Sequence, residues 1–166
     1  MAQDFWQSLN PYGIITVASR MKRLSELMFI QVQELYDERG RDFKASWFSI
    51  LATIRHEKKI DFKTLATLNN ISSPAVSQSI KELEEKGYVK TENGKDRRSR
   101  LIKLTAKAEK VLDEIIPDLV DIEEELKTIL QGKTDSIVKA LADLEQNLRA
   151  KSLLDRVMER EAALCK

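Results

Sequence analysis

Apolar residues recur at spacings of three and four from Pro11 to Glu38, at Ile14, Val17, Met21, Leu24, Met28, Val32 and Leu35. That period predicts a long amphipathic helix ended by Gly40. Ile15, Ala18, Leu27 and Ile30 widen the stripe beyond what one neighbour covers, so the helix is expected to pack on its own lobe and on a second subunit. A purely intramolecular core helix is the plainer alternative. A second, short and strongly apolar helix is expected over Ala45 to Arg55, with Trp47, Ile50, Leu51 and Ile54 inward. Ile60-Asp61-Phe62 then reads as a brief extended link in which Asp61 can cap a helix Phe62 to Leu68, whose Leu65, Ala66 and Leu68 face the core. Asn69-Asn70 makes the turn.

Ser72-Ser73-Pro74 is a sharp helix start, with Ser73 as cap and Pro74 at the first helical position, where a missing N–H costs nothing. The helix runs to Lys86 on a buried stripe of Val76, Ile80 and Leu83, and Gly87 stops it. Past Gly87 the period changes to two short alternating segments, Tyr88 to Thr91 and Leu101 to Thr105, around a polar tip containing Asn93-Gly94. This is a β-hairpin pattern. Thr105 can cap the next helix, and the remainder reads as helical: Ala106 to about Ile116, a kink or restart at Pro117, Leu119 to Leu130, a break at Gly132-Lys133, and a last helix from Thr134 to about Ala163. In that last helix Ile137, Leu141, Leu144 and Leu148 form one stripe, continued by Leu153, Leu154, Val157 and Leu164. An amphipathic helix folding back on its own domain is the alternative to a dimer surface.

Composition fits this helix-rich picture: 166 residues, 42% hydrophobic, 33% charged, with five glycines and three prolines. The net charge of +1 decides nothing by itself, because a nucleic-acid binder needs a basic face rather than a basic total. Distribution is informative. Lys90, Lys95, Arg97, Arg98, Arg100, Lys103 and Lys107 crowd the stretch Lys86 to Lys110, whereas Asp113 to Glu125 is mostly acidic, as a basic binding surface and a separate acidic helical arm would produce.

A short helix, a tight turn, a second helix whose N-terminal half carries small polar residues, then a basic hairpin: this order suits reading of the DNA major groove, which needs short side chains at the point of entry. Ser72, Ser73 and Ser77 can bond base edges or phosphate, Gln78 can bond adenine bidentately, the Ala75 methyl can meet a thymine methyl, and Lys81 is placed for a phosphate. At the hairpin tip Lys95, Arg97, Arg98 and Arg100 suit a narrow, electronegative minor groove. Asp96 is expected to accept from Arg98 and so to structure the wing.

These residues carry a specific resemblance. The stretch Leu65 to Lys107, with SSPAVSQSIKELEEKGYVK followed by DRRSRLIKLTAK, resembles the recognition helix and wing of the MarR family of bacterial transcriptional regulators, and the flanking helices follow that family's order. The resemblance implies a mainly α fold with a small β-hairpin wing, a winged helix-turn-helix plus long N- and C-terminal dimerisation helices. It further implies residues 1–40 as the N-terminal dimerisation region, 41–108 as the DNA-binding lobe and 109–166 as C-terminal dimerisation helices, all one architectural unit. Ile14, Val17, Met21, Ile137, Leu141, Leu144 and Leu148 are the candidate dimerisation residues. Such a homodimer would bind double-stranded DNA at a pseudo-palindromic site, most simply as a repressor. Thr91 departs from the family pattern where an Arg is common, and Ala108 where a Gly is.

Relatives in that family often bind small anionic aromatic ligands or sense oxidants through a cysteine. Trp6, Tyr12, Trp47 and Phe48 are candidate lining for such an effector pocket, against ordinary core as the plainer reading. Cys165, the single cysteine, has no evident electropositive setting and reads as incidental. His56 beside Glu57 lacks metal-ligand partners, and no cofactor or metal is expected. With no phosphate loop and no nucleophile beside an evident base, an enzyme is not expected. The N-terminus lacks a leader pattern and no apolar run spans a bilayer, so a cytoplasmic, membrane-free protein is expected. A winged helix that binds a protein partner, or the regulatory portion of a larger polypeptide, stays open.

Overall fold

The computed structural model describes residues 10–94 and 100–164. They divide into two compact units, the first ending at Asp118 and the second beginning at Leu119.

In the first unit a 3-10 segment Asn10–Thr16 precedes helix α1, Val17–Glu38. The sequence predicts continuous helix from Pro11, but Gly13 takes φ 51° and ψ −129°, which breaks the run. Helices α2 (Trp47–Glu57), α3 (Phe62–Asn69) and α4 (Ser73–Glu85) come next. The strands are β1 (Ile60–Asp61), β2 (Val89–Asn93) and β3 (Arg100–Leu104), joined as one antiparallel sheet in the order β1-β3-β2. The segment read as an extended link is thus a third strand, with Ile60 opposite Ile102. Helix α5 (Ala106–Glu114) leads into α6 (Ile116–Leu130), which restarts with Pro117 in its first turn.

Local chemistry explains most of these boundaries. Asp61 Oδ1 accepts from the Thr64 N–H at 2.9 Å and Thr105 Oγ1 from the Ala108 N–H at 3.3 Å, both as expected of caps. Gly87, at φ +73°, donates to the Glu84 carbonyl while Tyr88 donates to that of Leu83, a double closure that turns the chain inward at Tyr88. At the start of α4 the cap is Ser72, whose Oγ accepts from the Ala75 N–H at 3.3 Å, so Ser73 and Pro74 fall at the first two helical positions. The expected start is one residue late. Both serines are compatible caps, and Ser72 has the extended backbone, φ −70° and ψ 151°, that a cap requires.

The core of this unit gathers Trp47, Ile50, Leu51 and Ile54 from α2, Leu65 and Ala66 from α3, and Val76, Ile80 and Leu83 from α4. Leu68, expected inside, is 48% exposed. On a 3.6-residue helix it stands about 110° from the direction bisecting Leu65 and Ala66, beyond the buried arc of so short an element. Tyr36, Phe43, Trp47 and Tyr88 form an aromatic cluster, with edge-to-face pairs Tyr36–Phe43 at 5.8 Å, Phe43–Trp47 at 6.0 Å and Trp47–Tyr88 at 5.9 Å between ring centroids.

The second unit holds the rest of α6, then α7 (Thr134–Ala150) and α8 (Leu153–Leu164). The single last helix predicted from the apolar period is two. Ser152 Oγ accepts from the Asp155 N–H at 3.1 Å and donates to the Asp155 carboxylate at 2.7 Å, a reciprocal cap that starts a new helix.

Candidate nucleic-acid interface

Helix α4 has two chemically distinct faces. Val76, Ile80 and Leu83 are buried, whereas Ser72, Ser73, Ala75, Ser77, Gln78 and Lys81 are all exposed, as their pattern predicts. The Ser77 hydroxyl donates to the Ser73 carbonyl at 3.0 Å, which leaves its oxygen free to accept. Gln78 Nε2 donates to Glu82 Oε1 at 3.0 Å, one turn on, and so keeps its carbonyl oxygen and a second N–H for other partners. Short polar groups on a helix with a rigid, buried back are what close approach to base edges demands.

Lys95, Asp96, Arg97 and Arg98, the tip of the hairpin, lie outside the described residues. Arg100 donates to Thr91 Oγ1 and stands 6.0 Å above the Phe62 ring, tying β3 to the start of α3. Thr91, which departs from the family pattern, is therefore the acceptor that positions Arg100. Glu92 pairs with Lys59 at 2.6 Å and with Lys103, and these two ammonium groups, Lys103 foremost, hold its carboxyl at about 2. Lys103 lies diagonal to Glu92, whose direct partner is Leu101, and on the same side of the ladder. Charge counting places Lys103 in the basic surface, but its charge is taken up at the wing root.

Trp47 is buried in the aromatic cluster, Tyr12 and Phe48 are exposed, and Trp6 lies outside the described residues, as does Cys165. A cavity of 270 Å³ opens elsewhere in the first unit, with Arg41, Phe43, Tyr88, Lys107, Glu114 and Ile115 among its walls.

The sequence reading misses a buried charge. Asp118, 1% exposed, receives Arg39 Nη1 at 2.6 Å and Arg41 Nε at 2.9 Å. Burial pushes its carboxyl up, but the Arg41 and Arg39 hydrogen bonds outweigh that and hold it below the ordinary carboxylate value. It stands in the run read as a separate acidic helical arm, and its signal in the sequence is the pair of arginines flanking Gly40. Nearby, Lys86 binds the Asp42 carboxylate at 2.6 Å, and the Tyr88 hydroxyl donates to the Asp42 carbonyl at 2.8 Å. A second missed group faces α4: Lys44 Nζ sits 2.8 Å from Glu82 Oε2 and 5.1 Å from the centre of the Trp47 ring.

Residues 41–99 match the model described as MarR family. Over that stretch the chain is similar to the MarR family. An uncharacterized HTH-type transcriptional regulator of Bacillus subtilis, YwoH, is 37% identical over 82 residues, which are 49% of this chain and 60% of the relative. The chain thus spans less than two thirds of that relative's length. Among solved structures, MarR-family folds superpose closely. MarR of E. coli, as a mutant complexed with operator DNA, gives a TM-score of 0.66 at 21% identity, covering 81% of this chain and 95% of that one. MosR of M. tuberculosis in complex with DNA gives 0.70 at 20%, covering 82% and 98%. The MepR–DNA complex of S. aureus gives 0.67 at 17%, covering 80% and 98%. At these identities the likeness establishes the winged-helix fold. Among the described residues, no helix is long and apolar enough to cross a membrane.

Proposed function

We propose that this chain is a transcriptional regulator that binds double-stranded DNA sequence-specifically, as a homodimer on a pseudo-palindromic operator, and represses transcription there. The observation that carries the reading is α4: an exposed face of Ser72, Ser73, Ala75, Ser77 and Gln78 backed by a fully buried stripe. Relatives of the same fold solved with operator or other DNA support it. α4 enters the major groove, Gln78 reads a base, Lys81 meets phosphate, and the wing cations Lys95, Arg97 and Arg98 reach the minor groove, with Arg100 supporting the wing from its root.

The homodimer rests on apolar surface that a lone chain leaves uncovered. Ile14 and Met21 are exposed and Val17 half-buried in the N-terminal region, and Ile137, Leu141, Leu144 and Leu148 on α7 are each 36–41% exposed. Helices α7 and α8 bury no residue of their own. A two-fold dimer on such an operator spaces its recognition helices by about one DNA turn, ~34–36 Å. A small-molecule effector would act by changing that spacing.

The test is selection from a pool of random duplex DNA at two salt concentrations, with the recovered sequences read out. An enriched inverted repeat with half-sites one turn apart, and affinity that falls steeply with salt, is the expected result. Absent or salt-insensitive binding would turn the winged helix toward a protein partner.

A further inference from the structure

The reading face of the recognition helix is tied to the core from behind. Gln78 Nε2 donates to Glu82 Oε1 at 3.0 Å, and the other oxygen of the same carboxylate takes Lys44 Nζ at 2.8 Å. Lys44 is itself held over the Trp47 ring, whose side chain is buried in the aromatic cluster. A chain of contacts therefore runs from the core, through Lys44 and Glu82, to the amide of Gln78.

An unrestrained glutamine samples many rotamers and can present either end of its amide, so it loses conformational entropy on fixing. The Glu82 carboxylate removes the ambiguity. It only accepts, so it takes the NH2 end, turns the Gln78 carbonyl oxygen outward, and leaves one N–H to donate. One outward acceptor and one outward donor are the pair that meets the N6 amine and N7 of adenine in the major groove. Lys44 neutralises the carboxylate, which would otherwise sit uncompensated beside the DNA phosphates.

We propose that Glu82, neutralised by Lys44, is a positioning residue that sets the amide orientation of Gln78 and thereby the base preference of the recognition helix. This rests on the reading of α4 as a major-groove helix. Two consequences separate it from a merely structural role. Glu82 acts only through Gln78, so its removal changes preference at one position of each half-site. Any group at position 82 that accepts from the Gln78 NH2 retains the effect.

The experiment is random-duplex selection with the full chain at a single salt concentration, comparing the parent with Glu82→Ala, Glu82→Gln, Gln78→Ala and the Gln78→Ala/Glu82→Ala pair, each first shown to melt as the parent does. Glu82→Ala is expected to lower base discrimination about fivefold at the same position that Gln78→Ala alters, with the other positions unchanged. Glu82→Gln, whose carbonyl still accepts, retains most of the discrimination, and Glu82→Ala adds nothing once Gln78 is alanine. A parent that enriches a site while Glu82→Ala preserves every preference, or weakens all sequences evenly, overturns the positioning role and leaves the DNA-reading surface standing. A parent that enriches no sequence overturns both.

Discussion

Helices α4 and α7 are both amphipathic, yet they resolve their apolar stripes in opposite ways. In α4, which packs on α3 and β2, Val76, Ile80 and Leu83 are buried within the lobe, and the outward face is polar. In α7, Ile137, Leu141, Leu144 and Leu148 stay exposed, and no residue of the helix is buried. A 3.6-residue period establishes that a stripe needs cover, not what covers it. The lobe finds its cover within the chain. The uncovered stripe of four large residues on α7 is the surface on which the proposed homodimer rests.

The comparison breaks most readily at Leu141. Leu141→Glu places a charge in the α7 stripe and is expected to abolish the dimer at micromolar concentration while the lobe still folds, which sedimentation velocity and circular dichroism would show together. A variant that remains dimeric would place the interface elsewhere. Within the lobe, Ile80→Ala is expected to cost about 2–5 kcal/mol of stability, because a buried side chain is lost and the cavity only partly collapses. Denaturant titration measures it. A cost well below 1 kcal/mol would mean that the back of α4 is less rigid than its burial indicates.

Asp118→Asn comes next, at about 1–3 kcal/mol, since it uncouples Arg39 and Arg41, both roughly one-third exposed, from their shared partner. Its folded value is depressed, so the stabilisation is complete above the ordinary unfolded carboxylate value of about 4 and is lost as pH falls through the lower folded value. The variant should therefore show a shallower loss of stability in acid than the parent, and parallel curves would contradict the assignment. The smallest effect sharpens the one-residue shift at the start of α4. Ser72→Ala should cost about 1 kcal/mol by removing the cap, and Ser73→Ala only a few tenths; the reverse order in thermal denaturation would restore Ser73 as the cap.

Much of the site was legible because it is local. Asp61, Thr105 and Gly87 act within four residues of the groups they satisfy, and a helix face is set by spacing, so Ser77, Gln78 and Lys81 could be placed on the outer side of α4 without coordinates. The charged residues were legible only as a roster without pairings. Lys103 belongs to Glu92, Arg100 to Thr91 and Phe62, Lys44 to Glu82, and Asp118 to two arginines nearly eighty positions earlier in the chain. No composition window can show which cations are already paired.

Local sequence was enough for the order of the elements, the hairpin, the start of α4 to within one residue, its glycine stop and the residues on its two faces, because backbone propensity and periodicity act over a few residues. Only folding made Ile60-Asp61 a strand, turned Leu68 outward, buried Asp118 and paired Lys44, Lys103 and Arg100 with groups distant in the chain. Those outcomes depend on which groups meet across long stretches of chain, where desolvation and pairing compete, and that competition is settled only when the chain is folded.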